Sequence, residues 1–76
     1  LAPPYTGRLS KSANLTPREL SVLRSLSLGH RVADISKDLG LGEETVRSHI
    51  KKAQMKLGAR NSMQAVAQAM RLRLIP

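Results

Sequence analysis

The hydrophobic residues of this chain recur at helical spacing in four segments, which are separated by three glycine-containing turns. At about 100° per residue, the apolar positions of each segment fall on one side of a helix. They are Val22, Leu23 and Leu26 in the first segment, Val32, Ile35 and Leu39 in the second, Val46, Ile50, Ala53 and Leu57 in the third, and Ala65, Val66, Ala69 and Leu72 in the fourth. The pattern predicts an all-α fold of four helices.

The start of the first helix carries several local signals. Thr16 suits the N-cap, Pro17 suits the first helical position, and Glu19 completes a Thr-x-x-Glu capping box. Leu15 and Leu20 are spaced as a hydrophobic staple across the cap. We therefore expect the folded domain to span residues 15–76. Residues 1–14, which contain Pro and Gly and lack periodicity, are expected to be a linker or tail.

Glycines predict where the first three helices end. Gly29, Gly40 and Gly58 each follow an apolar stripe and suit the end of a helix, Gly29 and Gly40 in the left-handed conformation. The fourth helix is expected to begin after Asn61, an N-cap residue with Gln64 three positions later. The predicted helices span residues 17–28, 32–39, 43–57 and 62–71.

The second and third helices form the most informative unit of the chain. A short helix, a tight turn at Gly40 and a longer helix make up the kind of unit that sets a recognition helix into the DNA major groove. Leu41, directly after the turn, is expected to fill the core between the two helices. The apolar stripe of the third helix covers only about 60°. The residues on nearly the opposite side are Glu44, Arg47, Ser48, Lys51 and Lys52.

The charge of the chain favours a polyanionic partner. The net charge is +8, from 13 Lys and Arg against 5 Asp and Glu. From Thr45 onward the chain has basic residues and no acidic one. The single aromatic residue, Tyr5, gives little support to binding of single strands, which relies on stacking of bases on aromatic side chains. Duplex DNA is the favoured partner, and a basic surface that only aids solubility is the alternative.

The exposed face of the third helix supplies the candidate DNA contacts. Arg47 and Lys51 lie one turn apart and can donate to guanine O6 and N7, and Ser48 lies beside them. The residues placed for phosphate contacts are Thr45, Lys52 and Lys56, which would position the protein without recognising sequence.

Two acidic residues in the first turn of the third helix require a separate interpretation. Glu43 and Glu44 are placed to stabilise the helix dipole, by about 0.3–1 kcal/mol each. Glu44 is also a candidate acceptor from cytosine N4. We favour the structural role for both residues.

The fourth helix has a second apolar stripe that a monomer does not need. It consists of Met63, Ala67, Met70 and Leu74. The stripe predicts self-association, and a helix buried on both faces is the alternative.

The chain offers little for catalysis or metal binding. His30, Asp34 and Asp38 follow at i, i+4 and i+8, but two carboxylates on a surface helix are common and we do not expect a metal site. His49, at the edge of an apolar stripe, is expected to be a half-buried packing residue. There is no cysteine to provide disulfides or thiolate ligands. We expect no cofactor and no enzymatic activity.

Localisation and chain extent also follow from simple features. There is no apolar run of membrane-spanning length and no signal peptide, so we expect a cytoplasmic protein without membrane contact. The chain begins with Leu1 in place of Met, which suggests a piece of a longer protein whose upstream domain is missing.

The segments LTPREL, ISKDLGLGEETVRSHIKKAQMKLGARN and QAVAQAM together resemble the LuxR-type (GerE-like) helix-turn-helix domain, over residues 15–75. The resemblance implies a four-helix domain that ends a bacterial transcription factor, with the third helix in the major groove and dimerisation through the fourth helix on a pseudo-palindromic site. It implies base contacts at Arg47, Ser48 and Lys51, and contacts to the DNA backbone at Arg31, Thr45 and Lys52.

Three positions depart from the usual pattern of that family. Gly42 stands where Ser or Thr usually caps the third helix, at a cost of only a few tenths of a kcal/mol. Arg31 replaces a small hydroxyl residue, so a phosphate contact there would be a charged one. Arg73 replaces a common glycine, so the family pattern does not predict the geometry of the last turn or its role in the dimer.

The sequence thus predicts the DNA-binding domain of a bacterial transcriptional regulator that acts as a homodimer, with RNA polymerase as a further candidate partner. The segment KKAQMKLGARN and the terminal LIP favour a quorum-sensing regulator that responds to acyl-homoserine lactones. The output domain of a phospho-receiver regulator and a promoter-binding region of a sigma factor are the alternatives. A protein-interaction module is an alternative of a different class.

Overall fold

The computed structural model describes residues 14–76, which form four α-helices and no β-strand within that range. The helices are α1 (Pro17–Ser27), α2 (Val32–Leu39), α3 (Glu43–Lys56) and α4 (Ser62–Arg71). The predicted fold class is confirmed, and each predicted boundary agrees to within one residue. The predicted linker, apart from Asn14, lies outside the described residues. No helix in residues 14–76 has the length and apolar character needed to cross a membrane.

Helix α3 is the centre of the fold because it packs against each of the other three helices. Its Val46 and Ala53 are fully buried, Leu57 is nearly so, and Ile50 is half-buried. The narrow apolar stripe predicted from the sequence is therefore the surface that joins α3 to the rest of the domain. The same packing leaves the opposite side of α3 exposed.

Two adjoining hydrophobic clusters hold the helices together. The smaller cluster joins α1, α2 and the start of α3 through Val22, Ile35 and Val46, with Leu41 packed against it as expected. The larger cluster joins α1, α3, α4 and the two ends of the described chain, and its buried members are Leu15, Leu23, Ala53, Leu57, Ala65, Ala69 and Ile75. Because Leu26 of α1 packs against both clusters, they form one continuous core.

The predicted capping box at the start of α1 is present. The Glu19 backbone N–H donates to Thr16 Oγ1 at 3.1 Å, and the Thr16 backbone N–H donates to Glu19 Oε1 at 3.0 Å. Leu15 is buried and Leu20 packs against the same cluster, as the predicted staple requires. The start of α1 is thus fixed by both polar and apolar contacts.

Glu19 also connects α1 to the end of α3. Its Oε1 accepts a hydrogen bond from Lys56 Nζ at 2.8 Å, although Glu19 is only 2% exposed. Lys56 Nζ donates a second hydrogen bond to the Asn14 carbonyl oxygen at 3.1 Å. Burial alone would raise the pKa of Glu19, but the hydrogen bonds from Lys56 and Thr16 and the charges of Lys56 and His49 lower that pKa below its usual value. The carboxylate is therefore held in its charged form.

All four helices end with the same pair of backbone hydrogen bonds around a residue in the left-handed conformation. Glycine occupies that position in the first three helices, as at Gly40, whose φ is 65° in the turn between α2 and α3. In α4 the position is occupied by Arg73, with a φ of 59°. An L-residue pays a steric cost in this region that glycine avoids. Arg73 therefore ends α4 in the same conformation in which glycine ends the other three helices, but at a cost in stability.

We predict that Glu19→Gln lowers the free energy of unfolding by about 2 kcal/mol, since it removes the charged partner of a buried hydrogen bond. The folded-state pKa of Glu19 is lowered, so its stabilising contribution is present above the usual value of 4.5 and is lost as pH falls through the folded-state pKa. Urea unfolding measured at neutral pH and at several values below 4.5 checks both effects. Asp38→Asn, at an exposed position of α2, is the control. An equal loss of stability in the two variants would contradict a stabilising role for the Glu19 carboxylate.

We predict that Arg73→Gly raises the free energy of unfolding by about 0.5–1 kcal/mol, because the relief of left-handed strain exceeds the added entropy of the unfolded chain. Arg71→Gly, two residues earlier and within α4, removes the same charge but should destabilise by up to about 1 kcal/mol. Thermal and urea unfolding of the two variants make the comparison. A lower stability for Arg73→Gly than for the parent would contradict the prediction.

Candidate nucleic-acid interface

The exposed face of α3 brings the predicted base-contacting residues together. Arg47, Ser48 and Lys51 are all exposed, and Lys52 is exposed beside them. A shallow groove runs along this face, lined by Glu44, Arg47, Ser48, Lys51, Lys52 and Met55. Thr45 is exposed at the edge of the face, near the start of the helix. Because the core contacts of α3 lie on its other side, this face is free to enter a groove without rearrangement of the fold.

The guanidinium of Arg47 is paired with both acidic residues of the first turn of α3. Arg47 Nη2 lies 3.3 Å from Glu43 Oε1, and Arg47 Nη1 lies 3.6 Å from Glu44 Oε2. All three side chains are largely exposed, so each pair is worth only a few tenths of a kcal/mol. The two carboxylates thus lie at the helix N-terminus, as expected, and also neutralise Arg47. An acceptor on a partner can replace them at small cost.

Helices α3 and α2 are capped differently at their N-termini. Gly42 provides no side-chain cap, and its carbonyl oxygen accepts the first backbone hydrogen bond from the Val46 N–H at 3.0 Å. At the start of α2, the Arg31 backbone N–H donates to Asp34 Oδ2 at 3.0 Å, while the Arg31 side chain is exposed. The departure from a hydroxyl residue at Arg31 therefore leaves capping to Asp34 and adds an exposed positive charge.

Lys56, which the sequence placed among the candidate phosphate contacts, makes contacts within the domain. Its ammonium group turns toward α1, where it binds Glu19 and the Asn14 carbonyl oxygen, and only 34% of its side chain is exposed. Lys56 lies on the flank of α3 next to the apolar stripe, away from Arg47 and Lys51. Lys56 therefore stabilises the fold, and a phosphate contact by this residue stays a prediction.

A second basic region was missed by the sequence analysis. The turn between α3 and α4 brings Arg60, Asn61 and Ser62 beside α3, in a concave surface that they share with Arg47, Ile50, Lys51 and Gln54. Asn61 caps α4 as predicted, with its Oδ1 accepting from the Gln64 N–H at 2.8 Å. In the sequence, Arg60 counted only toward the net charge. Its position beside α3 depends on how the turn and α4 pack in space.

The two histidines differ in their surroundings. His30 is exposed, and within residues 14–76 no group of three or more His, Asp and Glu side chains is close enough to hold a metal ion. His49 is half-buried on α3 and close enough to Glu19 to help lower the pKa of that carboxylate. His49 is thus half-buried, as predicted.

The second apolar face of α4 is partly as predicted. Met63 is 81% exposed, Met70 is 47% exposed, and Ala67 is half-buried between them. Leu74 is the exception, because the left-handed Arg73 turns the chain so that Leu74 packs against the larger core cluster. The exposed part of this face therefore consists of Met63 and Met70, with the half-buried Ala67 between them.

Comparisons with known proteins identify the family of this chain. Residues 13–69 match the family described as bacterial regulatory proteins, luxR family. The HTH-type transcriptional activator RamA of Corynebacterium glutamicum is 36% identical over 69 residues, or 91% of this chain and 25% of RamA. The transcriptional activator protein LuxR of Aliivibrio fischeri is 41% identical over 64 residues, or 84% of this chain and 26% of LuxR. The chain thus spans about a quarter of the length of these relatives.

The fold has a close counterpart among solved structures. The structure of the transcription factor GerE superposes with a TM-score of 0.79 and 35% sequence identity, over 82% of this chain and 92% of GerE. The family match covers α1 to α3 and most of α4. The chain therefore belongs to the luxR family of bacterial regulatory proteins and forms its helix-turn-helix DNA-binding domain.

Proposed function

We propose that this domain recognises a specific duplex DNA sequence by inserting α3 into the major groove, as the output domain of a bacterial transcriptional regulator. One observation carries the proposal. The narrow apolar stripe of α3 is fixed in the core, while Arg47, Ser48 and Lys51 share an exposed face on its other side. A helix held in this way presents hydrogen-bond donors to base edges without losing its own packing.

Arg47 is proposed as the principal base contact. Its guanidinium can leave the exposed Glu43 and Glu44 carboxylates and donate two hydrogen bonds to guanine O6 and N7. Lys51, one turn later, reaches the next acceptors, and Ser48 bonds to either base type or to phosphate. The carboxylates left behind disfavour non-specific approach to phosphates, which supports a role in sequence discrimination.

Phosphate contacts are proposed at Thr45 and Lys52 on α3 and at Arg31 at the start of α2. All three side chains are exposed. We add Arg60, which lies beside α3 in the concave surface that also contains Lys51. These contacts fix the register of the domain on the duplex and carry no sequence information directly.

We propose that two copies bind a pseudo-palindromic site through α4. The exposed Met63 and Met70, with Ala67 between them, form an apolar face that is costly to leave in water. A twofold arrangement would place two α3 helices on half-sites about one helical turn of DNA apart, near 34–36 Å.

The regulator is proposed to act in the bacterial cytoplasm and to respond to acyl-homoserine lactones in quorum sensing, on the strength of the KKAQMKLGARN and LIP segments. The output domain of a phospho-receiver regulator is the second candidate. Membership of the luxR family favours both over a sigma-factor region. RNA polymerase is a further proposed partner, as expected for a protein that alters transcription.

We predict that Arg47→Ala and Lys51→Ala each weaken binding to the preferred site by about 1–3 kcal/mol and relax its sequence preference. Lys52→Ala should instead weaken binding to all duplexes alike and reduce the slope of log affinity against log salt by about one. Titrations of preferred and scrambled duplexes over a salt series measure both effects. If Arg47→Ala kept the preference and affinity of the parent, α3 would not be the helix that recognises the bases.

We predict that Met70→Gln lowers affinity for a site with two half-sites by roughly tenfold while leaving affinity for a single half-site unchanged, because it removes an apolar anchor of the α4 interface. Leu28→Gln is the matched control, since Leu28 is 66% exposed and lies outside α4. Gel-shift titrations on full and half sites measure the difference. Equal effects of the two variants would argue against dimerisation through α4.

A further inference from the structure

Met55 is an apolar side chain at the C-terminal end of the polar face of α3. It is 70% exposed, and it lines the same groove as Arg47, Ser48, Lys51 and Lys52. Met55 follows Lys51 by four residues, so the two side chains lie on one side of the helix, one turn apart. The core contacts of α3 do not involve Met55, so packing of the domain does not account for a methionine at this position.

The major groove contains one apolar feature that matches such a side chain. Each thymine presents its C5-methyl group there, and contact with that methyl distinguishes thymine from the other bases. Methionine is unbranched and flexible, with a polarisable sulfur, so it adapts to a small apolar surface. Burying both groups against one another removes apolar area from water.

We propose that Met55 contacts a thymine methyl group in the major groove and gives α3 a preference for an A·T pair there. This inference rests on the proposed function, since it requires α3 to enter the groove. Four residues of helix advance about 6 Å. Successive base pairs are about 3.4 Å apart along the duplex. The thymine is therefore expected within about two base pairs of the pair that Lys51 contacts.

The surroundings of Met55 favour DNA over an apolar protein surface as its partner. Lys51 and Lys52 are exposed beside it, and Arg47 lies two turns away on the same face. An apolar protein surface would desolvate these cations without pairing them, whereas DNA phosphates supply the negative charges that pair with them. The groove thus combines exposed cations with an apolar side chain at one end, which matches a polyanion that also presents an apolar group.

The test compares thymine with deoxyuridine, which lacks only the C5-methyl group. The protein first selects its preferred site from random duplex DNA, and each thymine of that site is then replaced singly by deoxyuridine. We expect the parent protein to lose about three- to fivefold in affinity at one thymine. Met55→Ala should bind the unmodified site more weakly by a similar factor and lose its sensitivity at that position.

Leu28→Ala is the matched control, because it removes an exposed apolar side chain at the end of α1. It should retain the full deoxyuridine penalty. Since Met55 is exposed and Ala favours helix, Met55→Ala is expected to fold normally, and thermal unfolding verifies this. If deoxyuridine substitution lowered the affinity of the parent protein at no thymine, the inference would be overturned. It would also be overturned if Met55→Ala kept the full loss of affinity on deoxyuridine substitution. Both results would leave the proposed function standing. Selection of no preferred site would overturn the proposed function as well.

Discussion

The carboxylate of Glu19 joins the start of α1 to the end of α3, the helix that carries the candidate DNA-binding face. Glu19 is the one buried charged residue among residues 14–76, and its Oε1 accepts hydrogen bonds from both the Thr16 N–H and Lys56 Nζ. The first contact caps α1, and the second anchors the last turn of α3. Because Lys56 also binds the Asn14 carbonyl oxygen, the entering chain, α1 and α3 are held as one unit. The direction of α3 therefore depends on this polar link as well as on apolar packing.

Helix α3 combines two roles that usually compete for surface. It contacts every other helix, yet it does so through a stripe narrow enough to leave its opposite side free. Its charged groups are divided in the same way: Lys56 stabilises the fold, whereas Lys51 and Lys52 remain exposed. Arg47 is intermediate, because it is paired within the domain but can still contact a partner. Its pairs with Glu43 and Glu44 are exposed and break at small cost. The packing of a small domain thereby leaves a preformed candidate interface.

The features predictable from sequence are those set by neighbouring residues. The Thr16 cap, the glycine at the end of α2 and the apolar stripe of α3 act within one or two helical turns, and the structure contains all of them. The Glu19–Lys56 pair joins residues 37 positions apart, so no local pattern indicated it. The position of Arg60 beside α3 likewise depends on the path of the chain in space, as does the turn at Arg73 that packs the half-buried Leu74 against the core.

The most direct test of the central claim, that the exposed face of α3 recognises a DNA sequence, is selection from random duplex DNA across a salt series. We predict enrichment of one motif containing an inverted repeat, with affinity that falls as salt rises because phosphate contacts release counterions. Retention that falls steeply with salt but enriches no motif would contradict the claim. The domain would then be a basic surface that binds any duplex, and sequence recognition would have to lie elsewhere.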